Sequence, residues 1–391
     1  MSDLASLSLF CATPEQVVES RRRTWPAWGG ILNENQYYER YARLDQMEHA
    51  DESKMITWVL APRHDPTTID FKCSCETYRR KGLVKYPGEN EAREALYYGI
   101  AAVYVPPSNR GKKYGLHMMR LLHWVLAPHA NLPQFPKEWG APPEAQQSSG
   151  ALFSILFTSI GEGFYRASGP GGKKDGGWEA RSVISVTWEV PEIPIEKAED
   201  PARWVWLHHE DMNEFWSKDV QFIKNSLATA TEVGFMPHTK NPVAIVAPLP
   251  DGGVGSFHIT RKLWGAEKAI NMHQWGVKLL DDERSDCPTY ATWSVDVQRP
   301  GSPSLVITRI CAMEETFPAL LAKLQEVARK SKIFDIEIWG LPRGLERVAV
   351  STGGRHFEGK QGLLLPCIKW YGDGGTADIE WRFIEKFCLS C

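Results

Sequence analysis

The sequence predicts an α/β fold built in two halves, on three observations. Short apolar strands alternate with amphipathic helices from residue 7 onward. The chain, at 391 residues and 44.2 kDa, exceeds one average domain and falls short of three. The second half then repeats the element order of the first.

In the first half, each element follows from local pattern. Residues 7–12 alternate as a short strand. Thr13 caps a helix with Pro14 at its first position and Glu15 in its first turn, ending at Pro26 and Gly29-Gly30. Asn33 opens a second helix to about residue 49, rich in Tyr37, Tyr38, Tyr41 and Leu44. Strands at 55–60, 69–78 and 94–105 follow, separated by Pro- and Gly-containing turns. Residues 100–105 are apolar without alternation, the pattern of a strand covered on both faces. Leu116, Met119, Leu122, His123 and Leu126 set the period of a helix that stops before Pro128. A Pro-rich loop occupies 128–150. A buried strand at 152–158, a short helix at 162–168, a Gly-rich turn and an alternating strand at 181–190 complete the half.

Residues 191–202, with three prolines and mixed charge, read as a linker, giving domains 1–190 and 203–391. Residues 202–230 read as one aromatic helix. Strands at 290–298 and 304–311, a helix at 317–330, a strand at 334–339, a helical turn at 345–350, a Gly-rich stretch and a strand at 363–370 repeat the earlier grammar. The spacing from Val103 to Phe164 exceeds that from Ile307 to Leu345 by 23 positions, the length of segment 128–150. The halves therefore read as a degenerate tandem pair, one carrying an inserted loop.

Composition removes several classes of function. Hydrophobic residues make up 43% of the chain and charged residues 24%, with 16 Trp, 12 Tyr and 15 Phe, which excludes wholesale disorder. A net charge of −3 exerts no global pull on nucleic acid or an acidic membrane. No apolar run approaches the roughly 20 residues of a membrane span. The start lacks a secretory pattern and Leu389-Ser390-Cys391 matches no targeting tripeptide, so a cytoplasmic location is expected. Of eight cysteines, Cys73 and Cys75, and Cys388 and Cys391, form close pairs without the knuckle turns of a zinc site. No metal is expected.

The stretch that carries chemistry is Val103-Tyr104-Val105-Pro106-Pro107-Ser108-Asn109-Arg110-Gly111-Lys112-Lys113-Tyr114-Gly115-Leu116. A buried strand ends, a basic loop follows, and a helix begins at once. N–H groups at that helix start lack intrahelical acceptors, which suits a pyrophosphate. Gly111 and Gly115 allow close backbone approach, while Arg110, Lys112 and Lys113 add charge. An ordinary strand–helix turn with solvated basic residues would share these features, and the loop matches neither Gly-Lys-Ser/Thr nor G-x-G-x-x-G.

This loop resembles the acetyl-CoA loop of the GCN5-related N-acetyltransferases (GNATs), with the pattern Gln/Arg-x-x-Gly-x-Gly/Ala. Phe164-Tyr165-Arg166-Ala167-Ser168-Gly169 resembles the Tyr-x-x-x-Gly segment after that family's fifth strand. Element order over 1–190 agrees. The 128–150 insertion and the large second half look similar to the fungal L-lysine N-ε-acetyltransferases, which acetylate free lysine for catabolism. The resemblance implies a mixed-sheet GNAT fold in the first half and a degenerate, non-catalytic GNAT-like second domain. Lys113 departs from the pattern, standing where the family prefers its first motif glycine.

The resemblance implies direct attack of an amine on the thioester, with the protein supplying orientation and electrostatics. Val103, Val105 and their neighbours would polarise the thioester carbonyl where the strand splays after Val105. Arg110, Gly111, Lys112, Lys113, Tyr114 and Gly115 would hold the pyrophosphate. Tyr165 stands at the general-acid position, or is a packing tyrosine. No carboxylate occupies the family's fourth-strand position near Tyr98 or Gly99, so Glu76 and Glu94 are the nearest bases, each with a solvated-charge alternative. Trp25, Trp28, Tyr98 and the 128–150 loop are candidate substrate walls, although the tryptophans could staple the two helices. In the second half, Cys311-Ala312-Met313-Glu314-Glu315-Thr316 is acidic and lacks glycine, and Leu345 replaces the tyrosine. Its expected role is to complete the substrate site or form a homodimer through aromatic residues and the 381–391 tail. Other amine acceptors (protein lysine, a polyamine, an aminoglycoside) and a non-catalytic CoA-binding role remain alternatives.

Overall fold

The computed structural model describes residues 4–30, 32–51, 53–144, 150–172, 175–192, 203–229, 239, 241–263, 270, 272–280, 287–296, 303–358 and 365–384. Most of the expected linker, part of the Pro-rich loop and the tail from 385 lie outside the described residues.

The first half supplies β1 (Leu7–Cys11), α1 (Pro14–Trp28), α2 (Glu34–Leu44), β2 (Met55–Pro62), β3 (Cys73–Lys85), β4 (Arg93–Tyr104), α3 (Tyr114–Leu126), β5 (Phe153–Thr158), α4 (Glu162–Arg166), β6 (Glu179–Ala180) and β7 (Ile184–Glu189). Thr13 and Asn33 cap α1 and α2 through reciprocal bonds with Gln16 and Gln36, so both helix starts are locally encoded. Pro26 does not end α1: it sits in the last turn, where one lost hydrogen bond is tolerated, and the helix runs on to Trp28.

The second half supplies β8 (Trp204–His208), α5 (Met212–Thr229), β9 (Ala244–Pro248), α6 (Val254–Leu263), β10 (Gln274–Leu279), β11 (Tyr290–Asp296), β12 (Ser304–Cys311), α7 (Phe317–Lys330), β13 (Asp335–Trp339), α8 (Glu346–Ser351), β14 (Arg355–Glu358), β15 (Leu365–Trp370) and β16 (Ile379–Trp381). The expected helix over 202–230 starts at Met212. Trp204-Val205-Trp206-Leu207-His208 is instead a strand, as its aromatic and β-branched content favours. The sequence pattern also missed β9, α6 and β10.

Two sheets result, and they match position for position. One runs β1-β2-β3-β4-β5-β15-β6, the other β8-β10-β11-β12-β13-β7-β14. In each, the fourth and fifth strands pair in parallel, β4 with β5 and β12 with β13. The sixth position is exchanged. β7 lies between β13 and β14, while β15 lies between β5 and β6. The tandem reading is thus realised, but the sheets do not follow a division at 190. β7, expected to close the first domain, belongs to the second sheet. β15 and, on the end of β3, β9 with β16 belong to the first.

Exchange welds the halves. Trp188 of β7 is buried against Phe317 of α7, and Ile368 and Trp370 of β15 are buried in the first half's core. Each large apolar side chain so buried contributes about 2 kcal/mol. At the far end of β3, Lys85 Nζ donates to the Leu227 and Ala228 carbonyls (2.6 and 2.8 Å), placing a cation on the last turn of α5. Under the second sheet, Asp219 and Arg309 form a fully buried ion pair at 2.9 Å.

Candidate active site

The basic loop occupies the junction it was expected to occupy. The β4–β5 ladder ends at Ile100 and Leu156, so the strands separate there, earlier than the sequence-based placing after Val105. A bulge follows: Ser74 faces Tyr104 but Glu76 faces Ala101, which leaves one extra residue on β4, and Ala102 takes a left-handed φ of 50°. Val103 and Val105 leave the bulge half-buried against the core beneath α3.

Past Val105 a groove of about 320 Å³ is lined by Val105, Asn109, Arg110, Gly111, Lys113, Tyr114, Gly115, Leu116 and Phe164. Gly115 brings α3 onto the strand: a Cβ there would stand 2.9 Å from Val105 Cγ2. Gly111 has φ 76°. Lys113 caps α3 in a left-handed conformation (φ 66°, ψ 10°) with no side-chain capping bond, so this lysine adopts the geometry for which glycine is suited. Arg110 Nε donates to the Val105 carbonyl at 3.1 Å, and Asn109 Nδ2 donates to the Lys72 carbonyl at 3.0 Å. A basic rim, a helix start without acidic residues and a glycine-lined approach fit an anionic pyrophosphate.

Tyr165, on α4 directly after β5, is buried with its ring edge-on to Trp178. Its hydroxyl has no hydrogen-bond partner among the described residues. Burial, with the Cys367 and Cys75 thiols nearby, raises its pKa well above that of a free phenol and keeps it protonated.

On the opposite face of the sheet, β3 presents Ser74, Glu76, Tyr78 and Arg80 to the helices. Ser74 Oγ meets Ser20 Oγ of α1 at 2.8 Å. Glu76 is 5% exposed and accepts from the Tyr78 hydroxyl at 2.9 Å. Burial raises its carboxyl above the ordinary value, against the opposing pull of Arg21. Its cross-strand neighbour is Ala101, and that of Tyr78 is Gly99, so β4 adds little bulk beside them.

Among the predicted walls, Trp28 stands edge-on to Tyr104, 5.4 Å between centroids, at the groove end of β4. Trp25 Nε1 donates to the Leu32 carbonyl at 3.0 Å and covers Gly29, so it staples the α1–α2 turn. Tyr98 points into the core beneath α3, on the face away from Glu76. Glu94 is at the opposite end of β4, solvent-exposed and 3.4 Å from Lys224; alternate-strand geometry and distance remove it from the site. Sequence reasoning named Glu76 but missed Ser74, Tyr78 and Arg80 beside it on β3, whose signal was the alternation of these polar residues along a central strand.

Among the described residues, the second half does not repeat these features. Thr316 Oγ1 accepts from the Met313 N–H (3.1 Å) and the Thr289 hydroxyl (2.9 Å), and Leu345 is a core residue. Trp381, expected to cover a neighbour, is buried within this chain in the β16–β9 pair. No helix among the described residues is long and apolar enough to cross a membrane.

A mixed sheet that parts at a bulged fourth strand, opening on a basic glycine-bearing loop and helix, is the architecture of a GNAT acetyltransferase. The matching family model is the LYC1 GNAT-like C-terminal domain, over residues 187–390. The chain belongs to this LYC1 GNAT-like family. Solved structures agree in fold. A GCN5-related N-acetyltransferase from Anabaena variabilis has a TM-score of 0.52 at 10% identity, over 94% of this chain and 73% of that one. A probable N-acyltransferase from Enterococcus faecalis reaches 0.51 at 12%, over 93% and 72%. A GCN5-related N-acetyltransferase from Kribbella flavida reaches 0.50 at 13%, also over 93% and 72%. No curated protein matches the sequence.

Proposed function

We propose that this protein transfers the acetyl group of acetyl-CoA to the side-chain amine of free L-lysine. Membership of the LYC1 family supports the acceptor. The observation that carries the chemistry is the buried carboxylate of Glu76, set across from Ala101 at the bulge where β4 and β5 have parted.

Acetyl-CoA would lie in the groove, its pyrophosphate against Arg110–Gly115 and the start of α3. The lysine amine has a pKa near 10.4 and arrives protonated. Glu76 takes that proton, directly or through a water. The free amine attacks the thioester carbonyl carbon, whose oxygen is polarised by backbone N–H groups around Val103 and Val105. The C–S bond breaks, the nitrogen gives up its second proton to solvent, and Tyr165 protonates the departing thiolate, recovering its own proton from solvent. The balance is acetyl-CoA plus lysinium giving N-acetyl-lysine, CoA and one proton. We place this reaction in the cytoplasm, whose reducing environment suits a chain whose described cysteines form no disulfide with one another.

The test is thiol release from acetyl-CoA with L-lysine, L-ornithine, spermidine and a lysine-containing peptide side by side. Preference for L-lysine, with the acetyl group on the side-chain nitrogen by mass spectrometry, supports the proposal. Turnover of only the peptide or spermidine overturns the acceptor, and CoA binding without turnover of any amine overturns catalysis.

A further inference from the structure

Beyond Glu76, the same face of the sheet carries a concentration of buried positive charge that the reaction chemistry does not use. Arg80 is 6% exposed, and among the described residues its Nε and both terminal nitrogens have no hydrogen-bond partner. Its guanidinium lies 5.3 Å from the Tyr78 ring centroid, so it leans back along β3 towards Glu76. The His49 ring stacks on Tyr78 and packs against Phe257 of α6 at 4.1 Å. Arg261 of α6 stands over Phe257, and Arg40 of α2, 3% exposed, stands over Tyr37 and Tyr41. Among the described residues no carboxylate pairs with Arg40, Arg80 or Arg261. Arg21 differs, since Asp45 neutralises it at 2.7 Å.

A buried guanidinium with three unspent nitrogens is costly unless something anionic completes it. Burial, followed by the fields of Arg80, Arg261 and Lys54, holds the His49 imidazole down to about 3, so this neighbour stays neutral and adds no competing cation. Three arginines with no carboxylate partner among the described residues would repel a polyamine or an aminoglycoside and attract a carboxylate.

Resting on the acetyl-transfer reading, we propose that Arg80 binds the α-carboxylate of the acceptor, with Arg40 and Arg261 reinforcing the field, so that the enzyme selects free amino acids over peptides and decarboxylated amines. The reach is suitable. Glu76 and Arg80 are four residues apart on one strand face, about 13 Å, and the guanidinium leans inward. Lysine in extended form places its carboxylate roughly 7–8 Å from its amine, six single bonds away. The side chains of Glu76 and Arg80 span the remainder. In this arrangement α6 contributes to the wall of the acceptor site in the first half.

The experiment compares L-lysine, L-lysinamide and cadaverine as acceptors for the wild type, Arg80→Gln and Arg80→Lys. The expected wild-type preference for L-lysine over lysinamide is about a hundredfold in kcat/KM, the scale of a buried charged contact. Arg80→Gln should collapse that ratio below about tenfold, mainly through the KM for L-lysine, while the KM for acetyl-CoA stays put; Arg80→Lys should keep part of it. A wild type that accepts lysinamide or cadaverine as readily as L-lysine overturns the proposal without any variant. Equal losses on all acceptors in Arg80→Gln overturn it as well. Calorimetric titration of L-lysine into the CoA-bound protein separates the two readings. Binding that Arg80→Gln abolishes, with no amine acetylated, supports the pocket and removes only the catalytic proposal. No binding of L-lysine to the wild type removes the pocket.

Discussion

The hydroxyl of Tyr371 lies 2.9 Å from Nδ1 of His123, joining the chain just past the exchanged strand β15 to the last turn of α3. The bond is one step in a directed series. Trp178 Nε1 can only donate, and does so to Ser154 Oγ at 2.9 Å. Ser154 Oγ is 3.0 Å from the Tyr371 oxygen, and His123 Nε2 is 2.8 Å from the Ser168 carbonyl, which can only accept. The imidazole therefore carries its proton on Nε2 and receives the Tyr371 hydroxyl proton at Nδ1. Every member is buried, and the Ser154 and Tyr371 hydroxyls each accept one bond and donate one.

Replacing Tyr371 by Phe would strand His123 Nδ1 and the Ser154 hydroxyl in the core. Leaving buried groups unsatisfied costs about 1–3 kcal/mol. The expected outcome is a loss of that size in urea-unfolding free energy. Because the bond ties the exchanged strand to the first half, both halves should still unfold in one transition; two separated transitions would show that the exchange does not couple them.

Stability should fall on mild acidification. Burial depresses the His123 and His49 imidazoles to about 3, and burial with Arg120 and Arg63 depresses His117 to about 4. Between pH 6.5 and 4 the unfolded chain binds protons at these sites and the native chain does not. Their contribution is therefore complete above about pH 6.5 and shrinks as pH falls, at up to about 1.4 kcal/mol per histidine per pH unit. Glu76, with its carboxyl raised, acts oppositely: its contribution is present below the unfolded carboxyl value near 4.5 and is lost as pH rises through its native value. Asp251, also raised by burial, acts as Glu76 does, but three histidines outweigh these two carboxyls, so the unfolding midpoint in urea should be lower at pH 5 than at pH 7. A flat profile would count against neutral, buried histidines.

Local elements were legible where one residue's role was set by near neighbours. The capping pairs Thr13–Gln16 and Asn33–Gln36, the period of α3 and the glycines of the basic loop all act within a few positions. The exchange of β7 and β15 was not legible, because Val186 and Ile368 are equally suited to either sheet and only the partner strand distinguishes them. The acceptor face was half legible. Glu76 stood out as a carboxylate near the fourth strand, but Arg80 acquires meaning only when His49, Phe257 and Arg261 are brought over it from distant segments. Glu94 misled for the same reason: proximity along β4 is not proximity to the bulge.

Lys113 offers a direct test of the departure in the loop. A side chain held in the left-handed region costs about 1–2 kcal/mol, and glycine removes that cost while adding about 0.5–1 kcal/mol of chain entropy. Lys113→Gly should therefore be neutral to about 1 kcal/mol more stable, whereas Lys113→Val should lose more than 1 kcal/mol. If the lysine charge also serves the pyrophosphate, the KM for acetyl-CoA rises severalfold in both variants, independently of which is more stable. Thermal melts and acetyl-CoA titrations read the two effects apart.

Tyr165→Phe isolates the proton that the phenol is placed to give. The hydroxyl makes no hydrogen bond among the described residues, so its removal leaves no partner stranded and the melting temperature should hold or rise slightly. The ring, packed against Phe164 and Trp178, is retained. A positioned general acid contributes about 10²–10⁴-fold, so kcat should fall within that range while the KM for acetyl-CoA changes little. The loss should also shrink with an acetyl thioester whose thiol is more acidic than that of CoA, because a better leaving group needs less help from the acid. A packing tyrosine would give neither the drop in kcat nor this dependence on the leaving group. The two measurements together therefore separate the proton donor from the wall of the core.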